Sequence, residues 1–435
     1  MMKAYPEYKS TEEGWIGNVP ISWVKSRFKF LISEKQKKSN ISISCGAISF
    51  GKVVYKDSDK LSEETKLAYQ EVLKGEFVIN PLNLNYDLKS LRTALSSINV
   101  IISSGYIVLI SNDNTLPNFL KWLLYVFDIR HMKTLGAGIR QTITAKDIGN
   151  SFTYLPSIDE QKRISIYLDA ETTRIDNLIV EKESFIKLLK EKRQVLISYA
   201  VTKGLDRNVK MKKSGIDYLG SVPEHWVVKK IKYNVTDIRG GWSPQCESTP
   251  VIDENSWGVV KVGCVNRGVF NPQQNKKLPD ELEAKPQYSI KKGELLVSRA
   301  NSKEWVGSAA VPQKDYPNLI LCDKIYRIKL NEKVVDPNFI AYFLGTDRAR
   351  QQIEIEATGT SSSMLNIGQG TILNMAIAQP DLEEQQTIVE TLRMRTKKIE
   401  NLIQEVNQSI ELLKERRTAL ISAAVTGKID VREVA

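Results

Sequence analysis

Two stretches of the chain, Glu160–Thr202 and Glu384–Thr426, repeat aliphatic residues at heptad spacing, with polar residues between and no proline or glycine inside. In the first, Leu168, Ile175, Leu189 and Leu196 form one row, and Ile179, Ile186 and Ala200 a second. In the other, Leu392, Ile399, Val406, Leu413 and Leu420 run beside Leu402, Ile403 and Ile410. This period predicts two helices that each bury one face against another helix. At about 1.5 Å per residue each is roughly 60 Å long. Gly204 and Gly427 stand where C-terminal caps belong. So long a stripe needs a partner, and the other copy matches it in length and chemistry. An antiparallel intramolecular pair is predicted, with separate helical hairpins or a homodimeric coiled coil as the alternatives.

The pattern between the helices is different. "GEFVIN" (Gly75–Asn80) and "GYIVLI" (Gly105–Ile110) are rich in β-branched and aromatic residues and predict strands. "PNFLKWLLYVF" (Pro117–Phe127) predicts a helix with proline in its first turn. The second block repeats the order with "GELLVS" (Gly293–Ser298), "DKIYRIKL" (Asp323–Leu330) and "PNFIAYFLGT" (Pro337–Thr346). Each block ends in a polar loop before its helix: "LGAGIRQT" (Leu135–Thr142) and "TGTSSSMLN" (Thr358–Asn366).

These parallels are a tandem duplication. Pro156–Gly204 aligns without a gap with Pro380–Lys428 at a constant offset of 224, and nearly half of the paired positions are identical. "GWIGNVPISW" (Gly14–Trp23) parallels "DYLGSVPEHW" (Asp217–Trp226) at an offset of 203. The material between start and helix is therefore 21 residues longer in the second half. The ends of the halves agree while their middles diverge.

Composition narrows the function. Of 435 residues 42% are hydrophobic, enough for two or three globular cores. The chain has no apolar run long enough for a membrane span and no apolar signal core near its start, so a cytoplasmic protein with no membrane partner is expected. Four scattered cysteines and two histidines predict reduced structural thiols and no zinc site. The net charge of +11 is concentrated in the two blocks, +6 over residues 1–158 and +5 over 205–379, against +1 and −1 in the helical stretches. Two basic blocks are consistent with two surfaces for a polyanion.

Catalytic patterns are missing. The chain has no GxxxxGK[S/T] loop. "NPLN" (Asn80–Asn83) lacks the second proline and the aromatic of an amino-methyltransferase motif and predicts a turn. "PDELEAK" (Pro279–Lys285) crowds its carboxylates into what reads as a solvated loop, unlike the separated carboxylates of a nuclease site. The polar loops offer more. Gly138, Arg140, Gln141 and Thr142 in the first, and Thr360, Ser361, Ser362 and Ser363 in the second, present hydroxyls and backbone N–H groups suited to phosphate oxygens. "RGGWSPQCE" and "SRANSKEWVG" set Arg239, Trp242, Arg299, Asn301, Ser302 and Lys303 in turns after strands, and Arg and Asn are the side chains that pair bidentately with guanine and adenine edges.

These pieces together resemble the specificity subunits of type I restriction–modification enzymes. The resemblance is carried by "GNVPISW" and "GSVPEHW", by "LPSIDEQKRI" and "QPDLEEQQTI", and by "LLKEKRQVLISYAVTKG" and "LLKERRTALISAAVTGK". It is carried also by "KKGELLVSRANSKEWVG" and "TGTSSSMLNI" in the second block. It implies an α+β fold of two mixed α/β target recognition domains (1–155 and 205–379) joined by two long antiparallel spacer helices (156–204 and 380–435), a pseudo-twofold tandem repeat. It implies binding to an asymmetric, bipartite site in double-stranded DNA, and docking of methyltransferase subunits, two being expected, and through the complex of restriction subunits. Methylation and cleavage belong to those partners, so the chain itself is expected to be non-catalytic and to need no cofactor. The first block departs from the family's serine run, having "LGAGIRQT" in its place. A coiled-coil scaffold with incidental basic charge and a self-contained nuclease are the competing functions; gel shifts at varied salt and cleavage assays with Mg²⁺ separate them.

If the helices act as a spacer, inserting four residues near Glu181 adds about 6 Å of helix and lengthens the unread gap by one to two base pairs of about 3.4 Å each. The bases read on either side stay the same. A seven-residue insertion preserves the heptad and is tolerated better. Mapping methylated sites for both variants checks this; an active variant that keeps the parental gap refutes it.

Overall fold

Helices of 46 and 44 residues, Ile158–Lys203 and Leu382–Val425, cover both heptad stretches in a computed structural model of the chain. The structure describes residues 3–433 apart from 58–60, 83–90, 136–141, 252, 254–255 and 362–363. It divides into two compact units, residues 1–183 with 407–435 and residues 184–406, so that each contains half of each long helix.

Within each unit the two helix halves run antiparallel. In the first, Leu168 shares a core with Ile421, Ala424 and Val425, while further along Asp176 receives two hydrogen bonds from Arg417, at 2.8 and 3.2 Å. In the second, Ile197, Ala200 and Val201 share a core with Ile388, Val389 and Leu392, and Arg193 pairs with Glu400 at 3.4 Å. The offset of 224 turns one ion pair into the other: Arg193 corresponds to Arg417, and Asp176 to Glu400. The duplication is thus expressed as a pseudo-twofold repetition of contacts. Most of the heptad positions are buried, including Leu168, Ile175, Ile186, Leu189, Ala200, Leu392, Ile399 and Ile410. Leu402 departs from the expected stripe and is 43% exposed, because Ile399 and Ile403 on either side of it already fill the seam.

The globular parts share a plan. In the first unit an antiparallel sheet has the order Ile32–Glu34, Ile107–Ser111, Phe77–Ile79, Thr93–Leu95. Helix Pro117–Arg130 covers it with Phe119, Leu120, Leu123 and Phe127, all buried. In the second unit the corresponding order is Val235–Arg239, Ile325–Leu330, Leu295–Ser298, Ala309–Ala310, covered by helix Pro337–Leu344. Every strand and helix expected from the β-branched runs and the Pro-Asn-Phe starts is present. Where the first unit has two strand pairs, Gly46–Ser49 with Lys52–Tyr55 and Gln70–Val72 with Val100–Ile102, the second has a four-stranded sheet ordered Asn275–Lys277, Gly258–Val260, Tyr316–Ile320, Ser289–Ile290, with a core of Val260, Cys264, Val265, Ile320 and Leu321. Much of its greater length lies there. The serine loop also differs from expectation: Thr358–Ser361 and Met364–Asn366 pair as an antiparallel hairpin, because an adjacent strand edge supplies backbone partners.

The repeated VP…W and EQ motifs meet in a clamp. Trp23 is buried and its indole N–H donates to Glu160 at 3.1 Å; Trp226 does the same to Glu384 at 3.2 Å. The neighbouring glutamine ties the covering helix to the long one. Gln161 Oε1 accepts from the Leu116 N–H (3.0 Å) and its amide donates to the Pro156 carbonyl (3.2 Å). Gln385 accepts from the Asp336 N–H (2.9 Å) and donates to Pro380 (2.9 Å). The end of the other long helix closes the clamp. Gly427 (φ +69°) leaves no room for a Cβ, which would lie 2.4 Å from Pro20 Cδ. Lys428 donates to the Asn18 carbonyl at 2.8 Å, and Lys203 donates to its counterpart, Ser221. Burial lowers the pKa of both lysines.

A buried tryptophan that also donates to a carboxylate carries two separable contributions. Trp226→Ala should destabilise the second unit by about 3–5 kcal/mol through the lost packing. Trp226→Phe, which keeps most of the volume but leaves Glu384 without its indole donor, should cost about 1–3 kcal/mol. Denaturant unfolding of the two variants checks the order; equal stability of Trp226→Phe and wild type contradicts it.

Candidate nucleic-acid interface

In the second unit, sheet pairing gathers the arginines from distant parts of the sequence. Strand Ile325–Leu330 lies between Val235–Arg239 and Leu295–Ser298, with Arg239 opposite Arg327 and Ser298 opposite Ile325. The strands alternate in direction, so the C-terminal ends of the two outer strands and the start of the middle one lie at the same end of the sheet. Arg239, Arg299 and Lys324 therefore share one rim.

The turns beyond that rim are built tightly. The Trp242 N–H donates to the Leu321 carbonyl at 2.8 Å, and the Asp323 N–H donates to Ser243 Oγ at 3.0 Å. A Cβ on Gly241 would lie 2.0 Å from the Leu321 carbonyl oxygen, so only glycine permits this approach. Trp242 is half-buried, with the Lys285 ammonium 4.2 Å from its ring centroid. On the other side, the Arg299 N–H donates to Lys324 and its carbonyl accepts from Ile367, both at 2.9 Å. Its guanidinium lies 5.9 Å from the Tyr326 ring, and its Nε is buried with no hydrogen-bond partner among the described residues.

Asn301 and Ser302 follow in the same turn. Ala300 and Asn301 pair with Met364–Asn366, whose other edge holds the Thr358–Ser361 strand as the third member of a small sheet. The Asn301 side chain accepts from the Ser302 N–H (2.9 Å) and donates to Asn266 and Ser298 (3.3 Å each). Helix Asp347–Glu356 supports the turn from below: Arg350 donates to the carbonyls of Lys303 (3.3 Å), Glu304 (3.1 Å) and Val306. Lys303 itself is exposed and stands 3.9 Å from Glu354. Arg239 is exposed and pairs with Asp237 at 2.9 Å. Exposed pairs of this kind are worth about 0–1 kcal/mol, so either cation can exchange its carboxylate for another anion at little cost. The structure thus brings Arg239, Trp242, Arg299, Asn301, Ser302, Lys303 and the backbone of Thr360 and Ser361 to one region. Ser362 and Ser363 lie outside the described residues.

The first unit has the counterpart. The Ile143 N–H donates to the Pro81 carbonyl at 3.1 Å, as Ile367 donates to Arg299. The segment after strand Phe77–Ile79 therefore corresponds to the arginine turn. It starts as a turn, with Asn80 Oδ1 accepting from the Leu82 N–H at 3.0 Å. Thr142 is exposed beside Ile143. Gly138, Arg140 and Gln141 lie outside the described residues.

Sequence reading missed Lys285, Lys324, Asn266 and Arg350. Lys324 carries a local signal, standing next to a predicted strand's start. The others are joined to the rim only by tertiary contacts. Pro279–Lys285 is a largely exposed loop in which Asp280 pairs with Lys277 at 3.3 Å. No cluster of three metal-ligating side chains occurs among the described residues.

Comparison with known proteins matches residues 223–412 to the family model for the type I restriction modification DNA specificity domain. Residues 223–412 thus carry that specificity domain, and the chain is similar to specificity subunits of type I restriction enzymes. The MjaVIII specificity subunit of Methanocaldococcus jannaschii is 25% identical over 386 residues, 86% of this chain and 84% of that one. The EcoEI specificity subunit of Escherichia coli is 30% identical over 171 residues; that match covers 39% of this chain but only 29% of the relative's length. The HsdS subunit from Thermoanaerobacter tengcongensis has a similar fold, with a TM-score of 0.52 at 18% identity over 94% of this chain and 98% of that one. A chain solved in a study of type I R-M complex assembly and conformational transition reaches 0.67 at 17% identity with the same coverage.

The rim of this specificity domain depends on Gly241. Gly241→Ala should displace the turn carrying Trp242 and destabilise the second unit by about 1–3 kcal/mol through overpacking. The first unit should be untouched. Hydrogen exchange resolved by segment checks this; unchanged protection of residues 321–324 contradicts it.

Proposed function

We infer that this chain is the DNA-reading, non-catalytic subunit of a type I restriction–modification complex. The observation that carries the reading is the sheet rim that collects Arg239, Arg299, Asn301 and Lys303 beside the serine hairpin, on a domain matched by the DNA specificity model. Each unit reads one half of a split site in double-stranded DNA. The sheet frame recurs in both units while the turns beyond it diverge, so the halves differ and the complete site is asymmetric. In the second unit Arg299 and Asn301 contact base edges, where a good bidentate pair discriminates by about 1–3 kcal/mol. The hairpin at Thr358–Asn366, and in the first unit the Gly138–Thr142 segment, contact phosphates, which hold register without carrying sequence information. The two long helices dock methyltransferase subunits, two in number, which bring restriction subunits into the complex. Those partners perform the chemistry and the chain works in the cytoplasm; no helix among the described residues is long and apolar enough to cross a membrane.

The test is to express the chain with its methyltransferase and map the methylated sites. The expected target is two short, unlike sequences separated by unread bases; a continuous or perfectly palindromic target refutes the reading. Arg299→Ala should weaken specific binding by about 1–3 kcal/mol and relax base choice in one half only. Alanine at Ser361 should weaken binding without changing base choice, and the reverse pattern refutes the assignment of roles.

A further inference from the structure

The first unit carries a hairpin that the function so far leaves unused. Strands Gly46–Ser49 and Lys52–Tyr55 pair in register, Ser49 opposite Lys52, leaving Phe50 and Gly51 as a two-residue turn. Both turn residues have positive φ, +47° for Phe50 and +73° for Gly51. Such a turn favours Asn, Asp or Gly at its first position. Phe50 is the only non-glycine residue with positive φ among the described residues, and its side chain gains no burial in return: it is 82% exposed. A bulky residue held in an unfavourable backbone region, with its ring in solvent, is a cost the fold does not require.

The hairpin is fixed just below its turn. Val53 is buried with Val78, Ala94, Val100 and Val108, and Ile48 packs on the same cluster. The tip is placed too. A Cβ on Gly51 would come within 2.7 Å of Leu91 Cδ1, and the next residue, Arg92, accepts at its carbonyl from the N–H of Asn80, the neighbour of Pro81, which is the counterpart of Arg299. Phe50 therefore stands beside the first unit's counterpart of the reading rim. The surroundings suit a polyanion: from Ile41 to Lys56 the chain carries Lys52 and Lys56, both exposed, and no acid.

Resting on the DNA-reading function above, we propose that Phe50 is a wedge that stacks between bases of the half-site read by the first unit. An apolar side chain on a rigid support opens a base step and is held there by stacking on the exposed faces. The αL turn aims the ring away from the hairpin, and the neighbouring lysines take the flanking phosphates. The strain at Phe50 is the cost of that aim.

The experiment uses the full-length chain and duplexes of its mapped target, with 2-aminopurine placed in turn at each position of both half-sites. Wild type should raise the fluorescence at one step of the first unit's half-site and nowhere in the other half. Phe50→Ala and Phe50→Gly should lose that signal and bind about tenfold more weakly or worse. Phe50→Trp should keep both. Phe50→Gly also relieves the turn, so its thermal stability should equal or exceed wild type, separating lost binding from lost folding. Wild-type-like affinity and fluorescence in Phe50→Ala overturn the wedge while leaving DNA reading intact. Failure of the wild-type chain to select any duplex sequence overturns the DNA reading, and the wedge with it.

Discussion

A carboxylate in the first turn of each long helix, bonded to the indole N–H of a buried tryptophan, is the contact on which each unit depends. Glu160 lies 7% exposed between the hydroxyl of Tyr5 and the indole of Trp23, at 2.5 and 3.1 Å. Glu384 receives Trp226 at 3.2 Å and pairs with His225 at 2.8 Å. A buried acceptor left unsatisfied costs more than the bond it replaces contributes, so the helix start, the domain entry and the tryptophan are chosen together. The adjacent glutamine then adds the covering helix, and the glycine and lysine that end the other long helix close over the same tryptophan. Four separate parts of the chain converge at each clamp, which explains why the motifs at the ends of the halves agree so closely.

With the ends pinned, the middles are free to differ. The four-stranded sheet and its covering helix recur in both units, but the turns at the sheet's rim do not. The second unit holds an arginine–asparagine turn braced by Arg350; the first has Asn80 and Pro81 at the same place. A backbone frame held by strand pairing and a fixed clamp tolerates such replacement, because its pairing bonds are made by main-chain atoms that every residue type supplies. This is the physical basis on which two related units carry unlike rims on one frame.

Much of this was legible in the residues alone. The duplication, both long helices, their antiparallel pairing and the strands and helices named in each block follow from periodicity, and periodicity is local: each position's burial is set by a neighbour three, four or seven residues away. The exposed Leu402 marks where that reasoning overreached, since a heptad seam takes two positions and three apolar residues competed for it. The roles of Glu160, Gln161, Glu384 and Gln385 were visible only as a repeated word, because their partners lie some 45 to 160 residues away in the chain.

What the sequence determined by itself is the scaffold: two copies of one plan, two matched helices, basic charge confined to the blocks, and no pattern for catalysis. The tertiary structure decided which side chains act together. Arg239 and Arg299 become neighbours through a shared strand, Asn301 meets the serine hairpin through pairing with Met364–Asn366, and Lys285 reaches Trp242 from a loop that looked merely solvated. The reason is that strand pairing is non-local. Its register depends on hydrogen bonds between segments whose separation leaves no periodic trace, so the chemistry of the rim exists only once the sheet has formed.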